Sequence, residues 1–208
     1  MRFYLLLLIA LIPHSLLPLS RSSEEHRISV DDRRDFTLLD LAAGQTKLLA
    51  VEAKLGMAKH SQIKNRLDPL VMICYVAPGT DHTRVEFTAH AEGDVLSDIR
   101  VTAGLVKANS EAGCATSDMI SKDVMTDSGL RLGLTRAEVF EQFGVPNRTD
   151  SGTLIYESDR RLTEKEVKEK CGENTYCSQL EWWLHGQISL TFQNGTLVSF
   201  DIYRSQTN

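Results

Sequence analysis

Proline is scarce in this chain, five among 208 residues. No apolar run reaches the roughly 18 residues that a membrane helix requires. Basic charge is in deficit: 23 Lys and Arg stand against 28 Asp and Glu, for a net charge of -5. Such a chain has no cationic field to hold a phosphate backbone, which argues against nucleic acid as a partner. The sequence holds no Gly-x-Ser-x-Gly elbow, phosphate-binding P-loop, Gly-x-Gly-x-x-Gly turn or His-Glu-x-x-His run. Cysteine is limited to four, and no two lie at the short spacing of a zinc site. What is present is ordinary globular composition, 42% apolar and 25% charged. The length suits one domain or two small ones, each able to bury a core.

The first 22 residues read as an export signal. Arg2 is the positive start, Phe3 to Ile12 is an unbroken apolar run, and Ser20 and Ser22 fit the small-x-small cleavage rule. No cysteine near that point offers a lipid-attachment site. Export makes the four cysteines read as disulfides, for which three pairings are possible. Cys171 and Cys177 close a short loop and are expected to pair, which leaves Cys74 with Cys114. The expected location is periplasmic or secreted. Loss of Arg2 and Arg21 takes the net charge from -5 to -7.

Beyond the signal, residues 23–43 read as a charged, flexible leader with a possible short strand at Phe36 to Leu41. Two later stretches then share an order of landmarks. Gly44-Gln45-Thr46-Lys47 leads to Val51 and Leu55-Gly56; Gly133-Leu134-Thr135-Arg136 leads to Val139 and Phe143-Gly144. Each reads as a short amphipathic helix with a threonine cap at its start and a glycine at its end. Glu138 completes a capping box with Thr135. Ile73-Cys74-Tyr75 follows the first helix and Leu154-Ile155-Tyr156 the second. Alternating strands come next, and each stretch closes on Asp-Ile, at Asp98-Ile99 and Asp201-Ile202. Asn194-Gly195 is a strong hairpin signal. The pattern predicts an α+β chain of two tandem helix-plus-antiparallel-sheet (αβββ) units at 44–102 and 131–208. Residues 103–130 connect them, and 157–181 form an insertion with a second capping box at Thr163 and Glu166.

Gly133-Leu134-Thr135-Arg136-Ala137-Glu138-Val139, Gly144-Val145-Pro146 and Tyr156 together resemble the SmpA/OmlA (BamE-like) module. Two such units in a row are similar to the β-lactamase inhibitor protein fold. The resemblance implies an exported binding or scaffolding protein with no catalysis and no cofactor, acting on another envelope or secreted protein. It carries over no partner-contacting residue, because the matching positions are structural. The chain departs from the BamE-like pattern in lacking a lipoprotein cysteine and in carrying the 157–181 insertion.

Three side chains are the binding candidates. Alternation puts Trp182 and Trp183 on opposite faces of a strand, one for the core and one as an exposed anchor; Tyr203 is counted with them. The alternative chemistry is a metal-dependent hydrolase. His82 and His90, eight residues apart, would face one side of a continuous strand, and Asp81 or Glu92 could complete a metal site. A small-molecule or lipid carrier is a third reading. Asn147-Arg148-Thr149 and Asn194-Gly195-Thr196 fit the glycosylation pattern, and Lys59, Lys64 and Arg66 read as a solvated basic loop.

Overall fold

Alternating apolar and polar residues build most of the molecule. A computed structural model describes residues 28–63, 69–90, 94–104 and 113–208. The expected signal segment and residues 23–27 lie outside the described residues, as do Lys64, Arg66 and Glu92. The chain opens with a 3-10 turn, Arg33–Phe36, and a two-strand hairpin, β1 (Thr37–Leu38) and β2 (Leu41–Ala42). Helix α1 (Leu48–Leu55) leads to strands β3 (Ser61–Ile63), β4 (Leu70–Val76), β5 (Arg84–His90) and β6 (Leu96–Thr102). A short strand, β7 (Ala115–Thr116), precedes helix α2 (Arg136–Phe143) and strands β8 (Arg148–Asp150) and β9 (Thr153–Arg161). Helices α3 (Glu164–Cys171) and α4 (Thr175–Ser178) then lead to β10 (Trp183–Gln193) and β11 (Thr196–Thr207).

The expected two separate three-strand units do not form. One antiparallel sheet runs β3-β4-β5-β6-β11-β10-β9-β8, with β7 added in parallel beside β4 for nine strands in all. Two features account for the difference. Ile99 and Val101 of β6 continue the buried stripe of Phe200 and Ile202 on β11, so pairing these strands joins two apolar faces and removes two open edges. The outermost strands, β3 and β8, are three residues long and largely polar, so they carry no alternation for a sequence reading to find. Both helices share one core with the sheet. Leu48, Val51 and Leu55 of α1 and Val139 and Phe143 of α2 meet Ile73, Phe87, Ile99, Phe200 and Ile188 there. Phe140, next to the buried Val139 on α2, is 42% exposed.

Each helix is fastened to the sheet at both ends. Before α1, the Gly44 N–H donates to Leu96 O (2.6 Å) and the Leu96 N–H to Thr46 O (2.8 Å). Before α2, the Gly133 N–H donates to Leu197 O (2.9 Å) and the Leu197 N–H to Leu134 O (2.8 Å). After each helix a glycine takes positive φ, 97° at Gly56 and 73° at Gly144, a conformation that L side chains resist. A buried tyrosine from the sheet donates its hydroxyl to that glycine's carbonyl: Tyr75 to Gly56 O (2.5 Å) and Tyr156 to Gly144 O (3.0 Å). Burial pushes both phenols up to about 12.

The caps differ from expectation in one case. Thr135 forms its capping box with Glu138, and Thr163 its own with Glu166. Thr46 does not cap. The N-cap of α1 is Lys47, without a side-chain bond, and the Thr46 hydroxyl instead accepts from the Ala42 N–H (2.9 Å). One extra residue between the glycine and the helix in the first stretch moves its threonine off the cap position.

Residues 28–36 lie against the sheet rather than hanging as a leader. Val30 and Phe36 are buried, and the Val30 N–H donates to Ser158 Oγ (3.0 Å). Phe36 sits so close to Gly186 that an added Cβ there would fall 2.5 Å from its ring. The connector also joins the core through Ile120, Val124 and Leu130. Both disulfides take the expected pairing, Cys74 with Cys114 and Cys171 with Cys177. They fit an oxidising, extracytoplasmic location. No helix among the described residues is long and apolar enough to cross a membrane.

Candidate binding face

The sheet has one face packed under α1 and α2 and a second face built from the alternate residues of the same strands. Register arranges that second face in rows. One row runs Glu86, Arg100, Asp201, Ser189; the next runs Thr88, Asp98, Tyr203, Gln187, Glu157. A third carries Ser205, His185 and Asp159. The polar groups are largely bonded to one another, some across strands and some along one strand. Arg100 donates to Asp201 through Nη2 (2.6 Å) and Nε (2.9 Å), Arg84 pairs with Glu86 (2.7 Å), and Arg148 with Glu157 (2.8 Å). His185 Nδ1 meets Asp159 Oδ1 at 2.7 Å, and the Tyr203 hydroxyl meets Ser205 Oγ at 2.6 Å.

The centre of this face is the seam between β6 and β11. There the two Asp-Ile pairs of the sequence meet. Ile99 lies opposite Ile202 on the core side, which makes Asp98 and Asp201 diagonal neighbours on the other side. The Asp201 carboxyl is thereby a close neighbour of Asp98. Burial, then the bond to Asp201 and its charge, push Asp98 from 3.8 up to about 8, against the pull of Arg100. A hollow of about 370 Å³ opens beside Asp98, with Ile63, Leu70 and Met72 as its apolar wall and Arg100 and Tyr203 on its polar side. The sequence reading marked both Asp-Ile pairs without finding this contact, because strand pairing, not spacing, brings them together.

The binding candidates separate as alternation predicts. Trp183 is on the open face and 40% exposed. Trp182 points to the opposite side, half-buried beside Val30, Leu162 and Leu184. Its indole N–H donates to Cys177 O (3.0 Å), and the Lys170 ammonium lies 4.4 Å above its ring. Tyr203 stands half-buried in the middle of the open face and borders three hollows.

Of the metal candidates, the described ones, Asp81, His82 and His90, lie at the two ends of β5. His82 precedes β5 and packs against Gly104, while His90 ends β5. That strand spans roughly 20 Å at about 3.3 Å per residue. The Asp81 carboxylate is used locally, accepting from the Thr83 N–H and hydroxyl and from the Lys122 N–H. Among the described residues no group of three or more His, Cys, Asp or Glu is placed to hold a metal ion. Of the two sequons, Asn147 is exposed and its side chain accepts from the Glu157 N–H (2.7 Å), while Asn194 occupies the hairpin turn.

No protein-family model, no curated protein and no solved structure matches this chain.

Proposed function

We propose that this chain is a periplasmic or secreted binding module that engages another envelope or secreted protein through the open sheet face. One observation carries the reading. The face left free by both helices presents an aromatic pair, Trp183 and Tyr203, beside rows of cross-strand-bonded polar side chains and a hollow with an apolar wall. Exposed aromatics set in a rigid polar frame are the usual anchors of protein interfaces. The frame is rigid because its side chains are held by partners on the same or neighbouring strands, so little side-chain entropy is lost on docking. The resemblance of residues 133–156 to the BamE-like module supports the same reading. No catalytic residue is assigned.

The test is site-specific photocrosslinking in the native envelope. A crosslinker at Trp183 or Gln187 should capture one reproducible partner. The same group at Leu49, 74% exposed on α1, should not. Equal capture from Leu49, or capture from Leu49 alone, places the interface on the helix side and overturns the reading.

A further inference from the structure

A second hollow, of about 690 Å³, lies where β11 runs beyond its pairing with β6 and the end of α3 comes close. Its charged side chains are all of one kind. Arg204 and Lys170 line it, with Asn208 and neutral polar residues beside them, and no Asp or Glu side chain does, although the whole chain is acidic.

Arg204 is the informative residue. It is 92% buried, from its 8% exposure, and no carboxylate among the described residues lies within ion-pair distance of it. Its Nε and Nη2 both donate to one backbone oxygen, Val30 O, at 3.3 and 3.2 Å, and the Phe36 ring lies 5.9 Å from its guanidinium carbon. The acids closest in charge influence, Asp31 and Glu166, are both taken by Arg160, at 2.5 and 2.7 Å. Burial, then the charge of Arg160, push the Arg204 guanidinium below its ordinary value. A buried charge without a counter-ion is costly and is normally met by one. Lys170 adds a second cation at the rim: it is exposed, and its ammonium lies 4.4 Å from the centre of the Trp182 ring.

We propose that this hollow is a binding site for a small organic carboxylate, whose negative group answers Arg204 and Lys170 while a planar apolar body lies beside Trp182. The site borders the partner-binding face at Tyr203 and Ser205 and needs no partner protein. A hollow of this volume is within the range of small-ligand sites.

Isothermal titration of the disulfide-intact protein with benzoate and with its neutral analogue benzamide tests the assignment. Benzoate should bind saturably with a Kd of about 5 mM or tighter, benzamide about tenfold more weakly or not at all. Lys170→Met should weaken benzoate about threefold or more and leave benzamide unaffected. Because Arg204 variants risk folding defects, Arg204→Lys is the informative change: it keeps the charge and should retain benzoate binding in part. Three results each overturn the proposal: equal binding of benzoate and benzamide, no benzoate binding up to about 20 mM, or inorganic phosphate competing as well as benzoate.

Discussion

The half of the chain built on α1 and the half built on α2 end their helices with the same device and begin them with different ones. In both, a glycine of positive φ stops the helix and a sheet tyrosine holds that glycine's carbonyl. At the start, α2 has a full capping box and α1 has none. The first half instead has a long-range staple, Cys74 to Cys114, which ties the connector to β4. The second half's disulfide closes only the α3–α4 turn. Similar helix–sheet packing is therefore held by a distant covalent bond on one side and by local hydrogen bonds on the other.

Breaking the staples should show this difference most strongly. The loops closed span 40 and 6 residues of separation. Chain entropy then assigns about 4 kcal/mol to Cys74–Cys114 and about 2 kcal/mol to Cys171–Cys177. Paired Cys→Ala variants measured by denaturant unfolding should rank in that order; the reverse order would place the chain's main constraint in the insertion. The tyrosines come next. Tyr75→Phe and Tyr156→Phe should each cost about 1 to 2 kcal/mol and should match each other if the two devices are equivalent. Both phenols have folded-state values raised to about 12 from 10, so their contribution is complete below pH 10 and fades as pH rises towards 12. Each Phe variant should flatten part of that alkaline loss of stability.

The seam between the halves sharpens the comparison through Asp98. Its folded-state value is raised from 3.8 to about 8, so its contribution to stability is complete below pH 4 and is lost as pH rises through 8. Asp98→Asn keeps a hydrogen-bond donor for Asp201 without the proton. It should leave stability at pH 3.5 unchanged and raise it at pH 9 by on the order of 1 kcal/mol, read from thermal melts. A variant less stable at pH 9 would mean that the ionised pair is not repulsive. The caps follow at similar size: Thr135→Ala should cost about 1 kcal/mol, and Lys47→Asp should return about half of that to α1, since only α1 has a vacant cap.

Much of the local structure was legible before any coordinates. The Thr135 and Thr163 capping boxes, the terminal glycines, the Cys171–Cys177 pair and the opposite facing of Trp182 and Trp183 follow from short spacings governed by local rules, and Cys74–Cys114 follows as the pair that remains. Thr46 was misread because its role depends on a single residue of offset. The continuous sheet was missed because nothing local says that β6 and β11 pair; only the match of two buried stripes does. The carboxyl pair at the seam is a product of that pairing, so it was invisible for the same reason. Val30 and Phe36 show a third limit. A charged stretch reads as a flexible leader, but two apolar side chains suffice to dock it when Gly186 leaves room.

Two of the two-residue hairpin turns provide the finest test. Asn194-Gly195 joins β10 to β11 with φ of 51° and 82°, a turn whose residues suit it. Leu39-Asp40 joins β1 to β2 with φ of 52° and 59°, the same backbone form carried by a leucine. A leucine held there costs about 1 to 2 kcal/mol against a relaxed conformation. It persists because the surrounding structure compensates: Leu39 packs partly against the core, and Asp40 bonds Lys54 at 2.8 Å. Packing and backbone strain can be separated with two variants. Leu39→Ala loses the packing and keeps the strain, whereas Leu39→Asn loses the same packing and relaxes the strain, because asparagine tolerates positive φ. The Asn variant should therefore be more stable than the Ala variant by about 0.5 kcal/mol or more, although both remove the leucine. Equal stabilities would show that Leu39 carries no backbone cost, and the two hairpins would then differ in sequence alone.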